Sequence, residues 1–589
     1  MENKTKKIGE TSSLRQGYGG HENITIKIGG EAGFGIKVAG AQLGKVFLRM
    51  GYEMFDYTEY PSLIRGGHNT FEITIGESVS HHRRPVNLLI ALNQQTFDEH
   101  LPELSADAGI VYDSERTKPT TDKYDLFEVP LSKLAKESGG SDLMKNTVAL
   151  GAALAVLDAE IEGYIAVIKE IFAGKPPAII MADINSAKAG YDYVKKNLKK
   201  KFPYAVESLP KKDSIYLTGN EAIALGAIAG GVQAYFAYPM TPSTSVLVYL
   251  AKHGPDHGML VRQPEDEISV LNSAIGASWM GARTMVGTSG GGFSLMSEAL
   301  GLSGITETPV VILEAMRPGP ATGLPTWSDQ GDLRFIQNAA QGEFPRMIIA
   351  PGDVEDCFYR TPEALNFAEK FQMPVFIVSD KNLAEGGKTV PIFDTSKIKI
   401  DRGKILSEQE VAKLEKFLRY RLTEDGVSPR AFPGTPGAVH AANSDEHDEY
   451  GYAVETAENR IQQADKRMRK LDSALKEIPE PILYGPKDAD LTLVSWGSTK
   501  GPILEAMKDL QDQSVNFLHF VYVWPFPTPN AEKQLKQAKK LMVIENNSTG
   551  QFEGMIRQYV GRAPESHFRK YDGRPFWPHE IVEKVKTEK

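Results

Sequence analysis

Four short apolar runs constrain this chain more than any other feature: "ARTMVGTS", "TPVVILEAM", "PRMIIAP" and "MPVFIVSD", all between Ala282 and Asp380. They alternate with helical segments and read as core strands of a parallel sheet, buried on both faces. The same style appears at both ends of the sequence. In "NITIKIGGEAGFGIKVAGAQLGKVFLRMGYEMFDY" a β-rich run (Ile24, Ile26, Ile28) meets a Gly-rich turn and then an amphipathic helix, a βα unit. "VNLLIAL" and "AGIVYD" continue that pattern, and "ADLTLVSWGSTKGPILEAMKDL" with "KKLMVIENNSTGQFEGMIRQYVG" reads as strand, glycine turn, helix and strand. The fold class is α/β and multi-domain, and a length of 589 residues suggests roughly three or four domains.

The expected organisation is a flexible tail over 1–21, an α/β domain over 22–202 and a central α/β domain over 203–385, followed by an irregular segment over 386–480 and a small α/β domain over 481–589. The stretch "VKKNLKKKFPYAVESLPKKD" reads as a basic linker between the first two domains. "GVSPRAFPGTPGAVHAANSDEHDEYG" is rich in Pro, Gly and polar residues, the composition of a lid, an interface arm or a disordered loop. "ENRIQQADKRMRKLDSALKEI" reads as an exposed helix whose basic residues form a solvated face.

A net charge of -9 argues against nucleic acid as the main partner, but leaves an anionic ligand open, because a local field need not follow the total. The single cysteine, Cys357, excludes a disulfide framework, a thiolate zinc site and an iron–sulfur cluster made by this chain alone. Its thiol reads as a buried apolar group, and a reducing cytoplasm is the expected location. The Lys-rich N-terminus reads as a mobile tail rather than a signal peptide. No run of about 18 apolar residues occurs, so no membrane span is expected.

Several motifs carry possible chemistry. In "QPEDEISVLNSAIGASWMGART" the apolar stripe Ile268, Leu271, Ala274, Ile275, Ser278 also includes Glu267, so a carboxylate lies on a face the chain is set to bury. A buried acid is costly unless it is paired, neutralised or used. Gly29, Gly30, Gly33 and Gly35 stand where a strand-to-helix turn could cradle a phosphate, or form a tight packing turn. Arg65, before two glycines, could clamp a phosphate or carboxylate, or pair a surface acid. In "AYPMTPSTS", Pro239 and Pro242 fix the backbone at Thr241, and the hydroxyls that follow could bind an oxygen or simply cap a helix. The three glycines of "TSGGGFSLMSEALG" permit close backbone approach. Arg317 follows a core strand, where it could receive a carboxylate or pair with Glu314 or Asp329.

Together with "IGGEAGFG", "EYPSLIRGGHNTFEI", "RPGPATGLPTWSDQGDL", "GVSPRAFPGTPG" and "IENNSTGQ", these motifs resemble the 2-oxoacid:ferredoxin oxidoreductases over about residues 22–575. The specific likeness is to the large subunit in which a gamma-type domain precedes the alpha-type domains, and the branch is that of the 2-oxoglutarate enzymes. The resemblance implies a gamma-type α/β domain, a pyrimidine-type thiamine-diphosphate domain and a transketolase C-terminal-like domain. It implies that Glu267 bonds the N1' nitrogen of thiamine, with Glu265 the runner-up and Asp266 a helix-start charge. It implies Thr241 and Arg317 as holders of the 2-oxoacid, and Gly29, Gly30, Gly33, Gly35 and Arg65 as coenzyme A contacts. Arg430 and His440 lie in the segment that could close over substrate, while His440 and His447 could equally be plain loop residues.

No "GDG" motif for Mg²⁺ occurs, "EDGV" and "YDGR" being the nearest, and no metal site of the chain's own is expected. The resemblance therefore implies half of an active site. A beta-type partner would supply Mg²⁺, the diphosphate contacts and a [4Fe-4S] cluster in an α2β2 assembly that passes electrons to ferredoxin. The expected reaction oxidises 2-oxoglutarate to succinyl-CoA, or runs in reverse as a CO₂-fixing synthase. The alternatives are a broad-specificity 2-oxoacid enzyme, a self-sufficient thiamine enzyme and a non-catalytic scaffold subunit.

Overall fold

The computed structural model describes residues 23–63 and 66–588. The expected tail at 1–21 and Arg65 lie outside the described residues. Contacts divide the chain into two compact units, the first built mainly from Arg84–Lys211 with the preceding strands, the second from Lys212–Lys589 with the segments Met54–Ile64 and Ser80–Arg83.

In the first unit, the strands Asp125–Val129, Leu104–Asp113, Val86–Ala91 and Asn23–Glu31 run parallel in that order. The strand His68–Gly76 lies antiparallel beside Asn23–Glu31, with Glu31 opposite His68. The expected strand is therefore present, and the helix Ile36–Arg49 follows it. The helices Lys145–Val156 and Pro177–Asn197 cross closely, because a side chain at Gly151 would meet the Ala187 carbonyl and one at Gly190 the Val148 carbonyl. The basic linker is not loose. Phe202, Tyr204 and Val206 are buried, Phe202 packs edge-on against Phe127, and the Tyr204 hydroxyl donates to Asp107 at 2.8 Å.

The second unit holds a seven-stranded sheet in the order Tyr522–Trp524, Met347–Ile349, Pro374–Asp380, Val310–Met316, Thr284–Thr288, Ala234–Ala237, Leu260–Arg262. All neighbours are parallel except the first pair. The four apolar runs are four of these strands. A five-stranded sheet is built from Ile482–Tyr484, Val515–Phe520, Leu491–Trp496, Leu541–Glu545 and Ser566–Arg569. It shares an apolar core with the larger sheet, where Val494, Trp496, Leu518 and Phe520 join Phe293, Ile348 and Phe376. The stretch read as a small separate domain thus completes the core of the central one.

The segment 386–480 is more regular than its composition suggests. It opens with the strand Gly387–Pro391, antiparallel to Ser214–Thr218, and closes with the helix Ala457–Leu475. That helix overturns the reading of a solvated basic face, because Lys466, Arg467 and Lys470 are 0–2% exposed. The two lysines salt-bridge the buried carboxylate of Glu307, and Arg467 grips Glu446. Arg430 does not hang over a cleft either. It joins Arg283 and Arg402 around Glu369, all but Arg402 nearly inaccessible. His440 bonds the Ala438 carbonyl at 2.9 Å and packs on Trp279 and Phe417, while His447 is buried against Tyr420. Cys357 is fully buried, as expected, and burial pushes its thiol pKa up.

Candidate active site

Three adjacent strands of the seven-stranded sheet end in register, with Gly287 opposite Ala237 and Thr288 opposite Glu314. Ligands in open parallel sheets sit beyond such carboxyl ends. Here the loop after each strand delivers one part of a site.

After Ala237 comes the Pro-rich loop. Arg317 Nη1, from the loop after Met316, donates to the Thr241 carbonyl at 2.8 Å, so the two residues paired by sequence reasoning are neighbours. The capping interpretation of the hydroxyl cluster fails for Ser243. It stands at the N-cap position of Thr244–His253 without capping it, and its hydroxyl donates instead to the Met240 carbonyl at 2.8 Å. Asn220 braces the same loop through Pro242 O and Ser245 Oγ, both at 2.7 Å. The loop is therefore fixed from below before any ligand arrives.

Glu267 opens the helix Glu267–Trp279, with Asp266 as N-cap accepting from the Ser269 amide at 2.8 Å. Glu265 is exposed and accepts from the Ser269 hydroxyl at 2.6 Å. Of the three acids only Glu267 is buried, at 4% exposure, and its Oε1 has no hydrogen-bond partner among the described residues. Leu271, Ala274, Ile275 and Ser278 share its buried face, but Ile268 does not, being 49% exposed.

The helix after Thr288 begins at the triple glycine and makes room for that carboxylate. A Cβ on Gly292 would lie 2.6 Å from Glu267 Oε1, and one on Gly290 would strike the Asp332 carboxylate. A Cβ on Gly291 would only come into ordinary contact with the Ala321 carbonyl at 3.9 Å. The Gly292 amide approaches Met240 Sδ at 3.2 Å, which ties this helix to the Thr241 loop. Gly292→Ala is expected to overpack this contact at about 1–3 kcal/mol and to displace Glu267. Measured by kcat and the urea midpoint together, kcat should fall by more than the stability loss explains.

Two acids that sequence reasoning did not single out as functional complete the floor. Glu314 is fully buried, and burial, together with the charge of and a hydrogen bond with the neighbouring Asp332, pushes its pKa well above the carboxylate range. Burial also raises Asp332, with a hydrogen bond to Glu314 and the charge of Arg317 opposing. Asp329 is pushed up to about 7 by burial. Burial lowers the pKa of the part-buried Arg317, with Glu314 and Asp332 opposing. A guanidinium carries five N–H donors; among the described residues the bond to Thr241 uses one of them.

The "IENNSTGQ" motif fastens the loop that carries Asp329 and Asp332. The Asn546 amide donates to Gln330 Oε1 at 2.9 Å, Asn547 Nδ2 to Gln330 O at 3.2 Å, and Gln551 Nε2 to Gly331 O at 2.5 Å. Its role is positional.

In the first unit, the four glycines divide. Gly29 and Gly30 belong to the strand, where a Cβ on Gly29 would come within 2.6 Å of Thr96. Gly33 and Gly35 form the turn with φ of 89° and 74°. A small cavity beside the turn is lined by Gly30, Glu31, Phe34, Leu92, Arg116 and Lys145. Lys145 donates to the Leu92 carbonyl at 3.1 Å and lies 5.5 Å from the Phe34 ring centre. Sequence reasoning missed both cations, because they lie about 85 and 115 residues beyond the glycines.

Three protein-family models match the chain. They are pyruvate ferredoxin/flavodoxin oxidoreductase over 25–193, the thiamine diphosphate-binding part of pyruvate flavodoxin/ferredoxin oxidoreductase over 225–466, and pyruvate:ferredoxin oxidoreductase core domain II over 489–581. A relative named 2-oxoacid:ferredoxin oxidoreductase subunit alpha, from Saccharolobus solfataricus, is 31% identical over 96% of this chain and 97% of its own. The chain belongs to the 2-oxoacid:ferredoxin oxidoreductase alpha-subunit family.

Among other relatives, the 2-oxoglutarate oxidoreductase subunit KorA of Mycobacterium tuberculosis is 30% identical over 91% of this chain and 87% of its own. The solved 2-oxoglutarate:ferredoxin oxidoreductase of Magnetococcus marinus, with 2-oxoglutarate, coenzyme A and succinyl-CoA bound, is 31% identical with a TM-score of 0.90, covering 96% of this chain and 100% of that one. As a 2-oxoacid:ferredoxin oxidoreductase alpha subunit, the chain carries Thr241, Glu267, Gly292 and Arg317 inside the stretch matched as thiamine diphosphate-binding. No helix among the described residues is long and apolar enough to cross a membrane.

Proposed function

We propose that this chain is half of a 2-oxoglutarate:ferredoxin oxidoreductase, completed by a beta-type partner in an α2β2 assembly. The reaction takes 2-oxoglutarate, coenzyme A and two oxidised ferredoxins to succinyl-CoA, CO₂, two reduced ferredoxins and a proton. The observation that carries the reading is the buried, unpartnered Oε1 of Glu267, with a glycine opposite it where any side chain would intrude. Such an orphaned acceptor fits a protonated ring nitrogen, as in the aminopyrimidine of thiamine diphosphate. When bound, that cofactor supplies the electron sink for loss of CO₂ from a 2-oxoacid.

The chain's own residues then have these parts. Glu267 holds a proton at the ring nitrogen, in a site that excludes water. Arg317 offers its remaining N–H groups to the substrate carboxylate, and the Thr241 carbonyl fixes the guanidinium's angle. Glu314 and Asp332 oppose the burial that lowers the Arg317 pKa, and among the described residues no salt bridge to either occupies its guanidinium. In the first unit, Gly33, Gly35, Arg116 and Lys145 suit the phosphates of coenzyme A, through backbone amides and two cations.

The exposed surface around Glu267 supports a partner. Ile268, Asn272, Gly276 and Met280 recur every four residues on the outer face of its helix, and Gly291, Ser294 and Leu295 are exposed on the next one. Exposed apolar and small residues of this kind fit close packing by a second chain. That chain would bring Mg²⁺, the diphosphate contacts and the [4Fe-4S] cluster.

The test is an assay of dye or ferredoxin reduction by the complex purified with its partner, over a panel of 2-oxoacids. 2-Oxoglutarate should be preferred and coenzyme A required. Equal rates with pyruvate would favour the broader activity in the names of the archaeal relatives, and turnover by the lone chain would refute the shared site. Arg317→Ala should raise the KM for the oxoacid about tenfold to a hundredfold, the worth of a charged hydrogen bond. An unchanged KM would remove Arg317 from the substrate site.

A further inference from the structure

Within the first unit, outside every residue given a role above, two imidazoles meet. His68 Nε2 lies 2.8 Å from His100 Nε2. One side-chain ligand atom each from His68, His100 and Glu99 falls within 4.8 Å of the others. His68 begins the strand that pairs with Glu31, and its Cε1 would stand 3.2 Å from a Cβ on Gly29, so the cluster sits at the foot of the Gly-rich turn. Glu99 and His100 end the helix Gln94–Glu99. We propose that His68, His100 and Glu99 bind a divalent transition metal of the zinc class.

The surroundings of His100 favour this over a plain histidine pair. Its Nδ1 makes no hydrogen bond among the described residues, but Glu103 Oε2 lies 3.2 Å from it, and Glu103 is anchored in turn by Lys27 at 2.5 Å and Arg84 at 3.0 Å. Once the ring turns slightly, a carboxylate so placed can hold the proton at Nδ1 and leave the Nε2 lone pair to a metal, the arrangement that metal-binding histidines use. Two imidazole nitrogens and a carboxylate oxygen form a three-ligand set that leaves one tetrahedral position for water or another donor. With zinc–nitrogen bonds of about 2.0–2.1 Å, the two Nε2 atoms need a separation of about 3.3 Å. A small ring rotation supplies the half ångström. Glu99 is exposed and can swing in, so the half-buried His68 marks the side from which the metal enters. Bound there, the ion ties the strand that starts at His68 to the helix that ends at Glu99, and these two elements flank Gly29.

The experiment uses the full-length chain without a polyhistidine tag, stripped with chelator and titrated with Zn²⁺ by calorimetry and with Co²⁺ by visible absorption. One equivalent of Zn²⁺ should bind, and Co²⁺ should give the intense bands of a four-coordinate site. The pair His68→Ala and His100→Ala should abolish both signals. Glu103→Gln should weaken zinc binding about 10–100-fold at unchanged stoichiometry, as loss of a ligand-orienting group does. If the histidine variants do not fold, Glu99→Gln decides, since an exposed side chain carries no core packing. It should weaken binding and change the Co²⁺ spectrum. Binding that is absent from the native chain, or that Glu99→Gln and the histidine variants leave unaltered, overturns the proposal.

Discussion

Glu267→Gln is expected to lower the turnover of the assembled enzyme by about 10²–10⁴-fold, the usual contribution of a positioned acid–base group. The substitution keeps the shape and removes one property. A carboxylate accepts at both oxygens, whereas an amide presents a donor at one of its two positions and cannot exchange a proton with a ring nitrogen. Because Oε1 has no internal partner, the change breaks no hydrogen bond within the chain at that atom. It also removes the cost of keeping a carboxylate out of water. The variant should therefore unfold at the same denaturant concentration as the native chain, or a higher one. Its KM for the oxoacid should stay near the native value, since Arg317 and the Thr241 loop are bonded to each other and not to Glu267. Loss of rate with no loss of stability separates a functional acid from a structural one. Retention of a tenth or more of the native turnover would show that the proton is held elsewhere.

How much of this was legible in the sequence depends on the range of the interactions. The strands at Thr284–Thr288, Val310–Met316 and Pro374–Asp380 were legible because burial on both faces leaves an unbroken apolar run. Glu267 was legible because helical periodicity is local. The same periodicity failed at Ile268, which lies at the edge of the stripe and faces away from this chain's core. An apolar residue whose cover is not part of the chain cannot be told from a core residue by spacing. The four glycines of the first unit look alike as letters, yet two relieve packing in a strand and two hold a left-handed turn, and only the backbone distinguishes them. The carboxyl pair of Glu314 and Asp332 was hidden for another reason. Each acid is ordinary as a letter, and its unusual state comes from burial, to which Asp332 adds at Glu314 while Glu314 opposes it at Asp332.

The helix Ala457–Leu475 gives the largest expected effect on stability. Its Lys466 and Lys470 read as a solvated face because their partner, Glu307, lies about 160 residues earlier, beyond the reach of any local pattern. All three side chains have no solvent exposure. Burial alone would raise the Glu307 pKa, but Lys466, Lys470 and Arg419 hold it well below the carboxylate range. Arg419 adds a hydrogen bond to the Glu307 carbonyl at 2.9 Å, and Lys470 one to the Gln372 carbonyl at 2.9 Å. Glu307→Gln would leave two buried ammonium groups without a counter-charge. Breaking a buried pair in this way costs about 3–5 kcal/mol, far more than the intact pair contributes over an apolar replacement. The urea midpoint of the second unit should fall accordingly. The sign of the pH dependence follows from the direction of the shift. A carboxylate whose folded pKa is depressed stabilises above its unfolded value near 4.5 and loses that contribution as pH falls towards the folded one. The gap between native and variant should thus close in acid. It should also narrow as pH rises through neutrality, because burial lowers the Lys470 pKa to about 7 even with Glu307 in place, and without that carboxylate the stranded lysines shed their protons more readily. Adding Lys466→Met and Lys470→Met to a Glu307→Leu background should recover most of the loss, since the charges then leave together. Glu307 follows the helix Gly290–Ile305, whose opposite end makes room for Glu267, so the cluster anchors that helix without touching the chemistry. Turnover of the Glu307→Gln complex, measured well below its unfolding midpoint, should accordingly stay near native. A fall in kcat at unchanged stability would transfer Glu307 from the scaffold to the reaction.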